Sequence, residues 1–211
     1  MTPSGPQLGG GATRRTEPGE AVHGEDWWGQ DLSGVEHTGV RFTDVDLTET
    51  TATGAVFTDC VFSGVRFNAS RWTDSAFTGC TFRRCSFFDA RFERAKLVGS
   101  RFDDCTFGLL HVEGGNWSFV NLHRASLERV RVEGARLREA DLAGVKAEGA
   151  LLRGLDLSGS DLTDADLRGA DLRGSDLSSL DPLRARLTGA VVDADQAVVL
   201  AEALGAVVVG R

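Results

Sequence analysis

From Gln30 to Ala194 the chain repeats every five residues, with one large apolar residue at the centre of each pentad. Centres run Leu32, His37, Phe42, Leu47 and onward in steps of five to Val192, and 24 of these 33 positions are Leu or Phe, several times what composition alone would place there. Two residues before each centre lies a second column, in which 29 of 33 positions hold Ala, Ser, Cys, Val, Thr or Gly, so a narrow interior is implied. Gln30, Leu110, Leu155 and Leu180 are its exceptions. Gly is favoured two residues after the centre, as at Gly34, Gly64, Gly144 and Gly174, where a turn with positive φ suits it.

A period of five fits neither standard element. On an α-helix each step advances about 140° and scatters the centres around the axis, and on a flat strand an odd step flips the side chain to the other face. A chain that turns a corner once per pentad keeps every centre and every small residue inside, which predicts an all-β solenoid of short strands and turns. Its interior is then a stack of Leu and Phe.

The ends depart from the period. Residues 1–24 contain Pro3, Pro6, Pro18 and the run Gly9, Gly10, Gly11, and are expected to form a flexible arm. Trp27 and Trp28 follow, and the pair is expected to plug the first coil of a solenoid covering residues 25–192. His37, at a centre of that irregular first turn, is read as structural. Residues 193–211 are read as a C-terminal cap. Asp193 with Gln196 three residues on has capping-box spacing, Gly205 is the stop signal, and Val207, Val208 and Val209 form a β-prone run. Ala197, Leu200, Ala201 and Leu204 share a helix face, and with the three valines they exceed what capping one coil requires, which favours a symmetric homodimer through this end.

Composition narrows the chemistry. Cys60, Cys80, Cys85 and Cys105 all fall in the small inner column and are expected to be reduced space-fillers, since stacked parallel Cβ vectors disfavour disulfides and no CxxC or His-rich spacing suggests zinc. The scattered His23, His37, His111 and His123 assemble no catalytic pattern, so a non-enzymatic protein without cofactor or metal is expected. No apolar window approaches a membrane span and the N-terminus lacks the pattern of a signal peptide, so a cytoplasmic location with no membrane contact is expected.

The net charge of −8 is unevenly placed. Residues 154–183 hold Asp156, Asp161, Asp164, Asp166, Asp171, Asp176 and Asp181 against Arg168 and Arg173, a net of −5, whereas residues 81–101 are net +4 with Arg83, Arg84, Arg91, Arg94, Lys96 and Arg101. Two readings of the acidic band stand side by side. In one, Asp before the centre is a solvated turn residue; in the other, the surface imitates nucleic acid. The net charge argues against direct nucleic-acid binding.

The pentads Ala165-Asp166-Leu167-Arg168-Gly169 and Ala170-Asp171-Leu172-Arg173-Gly174 resemble the A(D/N)LXX signature of pentapeptide-repeat proteins. The resemblance implies a right-handed quadrilateral β-helix in which four pentads make one square coil, giving about eight coils here. Phe42, Phe62, Phe82 and Phe102 would then form one column and Phe67, Phe87 and Phe107 another, before both change to Leu at Leu122 and Leu127. Gly114-Gly115-Asn116, the step from Asp181 to Pro182, and the segment from Leu187 to Ala197 resemble the MfpA/Qnr-like branch of that family. What that branch implies is a rod-shaped dimer joined at its C-terminal helices, which binds DNA gyrase, a type II topoisomerase, in place of DNA and confers fluoroquinolone resistance. From another class, a rigid scaffold acting through the Arg-rich middle remains the alternative.

Overall fold

The computed structural model describes residues 19–209. The chain turns a corner after every pentad, so residue i+20 stacks on residue i, and the strand pairings are parallel with that register throughout. The result is a parallel β-solenoid with four faces, numbered one to four from the centres Val22, Trp27, Leu32 and His37. On face one the strand Ala21–His23 pairs with Arg41–Thr43, and the ladder climbs to Asp161 in seven 20-residue steps. Face three climbs from Asp31 to Val191 in eight. The corners are made by the fifth residue of the pentad in the left-handed region, Gly34 at φ +70° and Asp44 at +53°. Asp shares these corners with Gly because its short polar side chain tolerates that conformation.

The interior changes character half-way up. Phe42, Phe62, Phe82 and Phe102 stack nearly parallel with centroids 4.7–4.9 Å apart, and Phe67, Phe87 and Phe107 form a second stack. A third runs through His37, Phe57 and Phe77, with the buried His37 imidazole 5.3 Å from the Phe57 ring. Rings repeating at the inter-strand spacing fill the lower column without gaps. Above Phe107 the centres are mostly Leu, and an apolar cavity of about 50 Å³ lined by residues such as Leu122, Leu142 and Leu162 lies along the axis.

Three expectations need correction. The solenoid begins before residue 25, because Val22 and Trp27 already occupy buried centre positions and Ala21–His23 is a paired strand. The rest of the expected arm, residues 1–18, lies outside the described residues. Only Trp27 enters the first coil, meeting Phe42 edge-on at 5.9 Å with its indole N–H donated to Glu25 at 2.6 Å; Trp28 follows a centre, points outward and is 58% exposed. The valine run after the helix forms no strand.

The candidate acidic side and the C-terminal end

Asp before a centre has a local structural task. Asp161, Asp176 and Asp181 each accept, at 2.9 Å, the backbone N–H two residues on, from Thr163, Ser178 and Leu183. Asp156, Asp166 and Asp171 do the same for Ser158, Arg168 and Arg173 at 3.3–3.4 Å. These bonds close the turn that follows the centre. They also hold carboxyls below the usual range: the Thr163 backbone N–H and hydroxyl do so for Asp161, and the Ser158 hydroxyl does so for Asp156.

The fold then sorts the acids by face. Asp161, Asp164 and Asp181 lie on face one and Asp156 and Asp176 on face four, and these two faces share a corner of the rod. Glu139 and Asp141, outside the acidic stretch read from sequence, join them, because Asp141 stacks directly on Asp161 and Glu139 sits one coil from Gly159. Neutralisation on this side is loose, with Arg138 3.8 Å from Asp156 and Arg184 3.9 Å from Asp164. Among the described residues Asp161, Asp176 and Asp181 join no ion pair. The other two sequence candidates face away. Asp166, on face two, is held by Arg168 at 2.7 Å and Arg186 at 3.7 Å with its side chain 14% exposed; Asp171, on face three, is held by Arg153 and Arg173 with its side chain 19% exposed. One side of the upper rod therefore presents free carboxylates, while the opposite side presents closed ion pairs.

At the C-terminal end the helix Ala194–Ala203 closes the column. Its N-cap is a full capping box: the Asp193 carboxylate accepts Gln196 N–H at 3.0 Å and Gln196 Oε1 accepts Asp193 N–H at 2.9 Å. The same two side chains reach down into the coil below. Asp193 Oδ2 accepts Gly174 N–H at 2.9 Å, and the buried Gln196 amide donates to the carbonyls of Leu172 and Ser175 at 2.7 and 2.6 Å. Of the expected apolar helix face, Leu200 packs against the core and Ala201 is half-buried, whereas Ala197 and Leu204 face solvent. Val207 and Val209 are more than 80% exposed, Val208 is 42% exposed, and Leu183 and Val191 are uncovered on the last coils.

Residues 112–144 and 140–178 match the family model for pentapeptide repeats, described as eight copies. Together with the 20-residue ladder, that match identifies residues 112–178 as pentapeptide repeats and the column as the corresponding solenoid fold. Residues 31–107 also match a model described as the SV2A/B/C luminal domain. Among solved structures the pentapeptide column resembles a trypsin-treated variant of QnrB1, described as a plasmid-mediated fluoroquinolone resistance protein. That match has a TM-score of 0.72 and 24% identity over 90% of this chain and 98% of the other. Full-length QnrB1 matches with a TM-score of 0.71 and 22% identity over 88% and 100% of the two chains. No curated protein matches the sequence.

The Arg-rich middle of this pentapeptide column does not gather into one patch. Arg83, Arg84 and Arg101 lie on face one, Arg91 and Arg94 on face three and Lys96 on face four. Arg83 and Arg101 converge on Asp103 at 3.7 and 3.8 Å, and Arg94 binds Asp74 through two bonds of 2.8 Å.

Sequence reading missed a seam in the ladder, at the corner of faces one and two, where Phe gives way to Leu. Every neighbouring level makes four backbone bonds there, as Arg84 to Asp103, Thr106 to Cys85, Phe87 to Thr106 and Asp89 to Gly108. Among the described residues the next set, from Asp104, Ser126, Phe107 and Leu109 toward His123, Cys105, Ser126 and Glu128, is unmade. A cleft of about 780 Å³ opens between these lips. The Trp117 indole lies parallel to Phe102 at 6.3 Å beside the seam, its N–H without a partner among the described residues. Gly114 and Gly115, both at positive φ (+63° and +89°), precede it on the same coil.

Proposed function

We propose that this protein binds DNA gyrase in the place of duplex DNA, modulates the enzyme without chemistry of its own, and so confers resistance to fluoroquinolones or another gyrase poison. The observation that carries the reading is the sorting of loosely neutralised or unpaired carboxylates onto one side of the column, which gives a partner a single net-negative wall. The fold likeness to QnrB1, named as a fluoroquinolone resistance protein, points the same way. In this reading two copies join through the C-terminal end, where Ala197, Leu204, Val207, Val208 and Val209 stand uncovered, and the acidic walls of both copies flank the two-fold axis. The protein acts in the cytoplasm, where its partner is; among the described residues no helix is long and apolar enough to cross a membrane.

The test is gyrase supercoiling and binding to its DNA-gate subunits. Wild type inhibits at micromolar concentration, and Asp161→Asn, Asp176→Asn and Asp181→Asn together weaken binding at least about tenfold, by removing unpaired charges that meet a DNA-binding surface. Asp166→Asn with Asp171→Asn has a several-fold smaller effect, since those charges are already spent on arginines. Absence of inhibition and binding at tens of micromolar removes the proposal. Loss of partner binding in Arg83→Ser, Arg84→Ser, Arg91→Ser and Arg94→Ser, with the acidic variants intact, transfers the function to the basic middle.

A further inference from the structure

The seam gives one of two otherwise equivalent cysteine pairs an opening to solvent. Cys60 lies one coil below Cys80, and Cys85 one coil below Cys105, all in the small inner column. Cys60, Cys80 and Cys85 are buried, whereas Cys105 is half-buried and lines the cleft together with Phe107, His123 and Arg124. Its Sγ lies 3.5 Å from the carbonyls of Phe82 and Asp103, and the Cys85 Sγ repeats that geometry one coil below against Phe62 and Arg83. Stacked coils set the Cα atoms about 4.8 Å apart, inside the range a disulfide spans. What opposes a bond in a regular ladder is the parallel direction of the two Cβ atoms. Here the restraint is lifted on one side, because Ser126 leaves the Cys105 carbonyl unbonded and nothing pins the upper lip against it.

We propose that Cys105 and Cys85 form a modification site for a small hydroperoxide that enters through the seam. The Cys105 sulfur attacks the peroxide, the O–O bond breaks, and Cys105 becomes a sulfenic acid as water or an alcohol leaves. The Cys85 sulfur then attacks the Cys105 sulfur, the S–O bond breaks, water departs with the Cys85 proton, and a disulfide joins the two coils. Two thiols are oxidised by two electrons and one peroxide is reduced. The Cys60 and Cys80 pair has the same spacing and a closed ladder, so it stays reduced and serves as the internal control. The site stands apart from the C-terminal end, and its cleft borders the lower edge of the acidic side at Asp141.

The full chain is treated with hydrogen peroxide, blocked with an alkylating reagent after unfolding, and mapped without reduction. The expected products are a peptide pair linked through Cys85 and Cys105 and, before blocking, an intact mass lower by about 2 Da for the two hydrogens lost. Bond formation at this pair is at least about tenfold faster than at Cys60 and Cys80, because susceptibility follows access to the thiol. Cys85→Ser leaves a sulfenic acid at Cys105 that a dimedone-type reagent tags, and Cys105→Ser leaves the remaining thiols unoxidised. Ser already stands in this column at Ser70 and Ser100, so both variants keep the packing, which circular dichroism checks. Unmodified thiols, a Cys60–Cys80 bond forming equally fast, or Cys105 oxidised without linkage to Cys85 in the wild-type chain each overturn the proposal.

Discussion

Removing the Gln196 side chain should unzip the top of the column. It makes three hydrogen bonds, one accepted from Asp193 N–H and two donated to the carbonyls of Leu172 and Ser175, at 2.6–2.9 Å, and it is the helix residue buried against the last coils. Each such bond contributes about 1 kcal/mol net, and carbonyls left buried without a donor cost about 1–3 kcal/mol each. Gln196→Ala should therefore cost about 3 kcal/mol. In a solenoid that loss is local, since each coil touches only its neighbours. Hydrogen–deuterium exchange followed by mass spectrometry should show protection falling over about residues 170–204, with residues 40–110 unchanged, ahead of any shift in the main unfolding transition. Gln196→Glu sharpens the test: it keeps an oxygen for Asp193 N–H but sets a carboxylate against two carbonyls, so it should be worse than Ala. The reasoning fails if Gln196→Ala exchanges like wild type, or if Glu is tolerated better than Ala.

Gly115→Ala should cost about 3 kcal/mol or more in urea unfolding, because φ is +89° and a Cβ would overlap the Ala95 carbonyl oxygen and lie 2.9 Å from its amide nitrogen, so strain and overlap add. Trp27→Ala should cost about 3–5 kcal/mol while Trp28→Ser stays within about 0.5 kcal/mol, a contrast that checks which tryptophan closes the first coil. Asp156, Asp161 and Asp193 have folded pKa values below the unfolded value of about 3.9, so their contribution is complete above that value and disappears as pH falls through the folded values. Stability measured by urea midpoint should hold from pH 7 to 5 and drop below about pH 4; a midpoint unchanged at pH 2 would contradict the turn bonds.

The fold was legible because one constraint, a period incompatible with helix and flat strand, acts on every pentad. Phe42 to Phe102 stack as the resemblance to pentapeptide repeats implies, and the spacing of Asp193 and Gln196 becomes a capping box. The start of the solenoid was not legible, because Val22 follows Glu20 where a small residue is usual, and a single pentad with a polar inner position looks aperiodic. The seam left only indirect traces, in the change from Phe102 and Phe107 to Leu122 and Leu127 and in the paired glycines at 114 and 115. Neither shows that ladder bonds are lost, because those bonds join stacked coils rather than neighbours in sequence. The acidic side was half legible. Counting placed Asp156 to Asp181 in one stretch, but consecutive pentads face four directions, and which carboxylates are free depends on arginines 2, 18 or 20 residues away.

That dependence sets the terms of any imitation of DNA. Glu139, Asp141, Asp156, Asp161, Asp164, Asp176 and Asp181 lie on three levels spanning about 14 Å of axis. This is roughly one acid per 2 Å, near the one charge per roughly 1.7 Å of a duplex. Counting Arg136, Arg138 and Arg184 on the same faces reduces it to about one net charge per 3.5 Å, half the duplex value. A duplex shows its charge in every direction, whereas this column shows it on two adjoining faces. A partner that encircles DNA would meet the closed ion pairs of Asp166 and Asp171 on the far side and gain little. A partner that cradles DNA from one side would meet only the free wall. Under the proposed reading the geometry therefore selects a saddle-shaped binding surface, and a dimer joined at the C-terminal end would double the wall toward the length of duplex such a saddle holds.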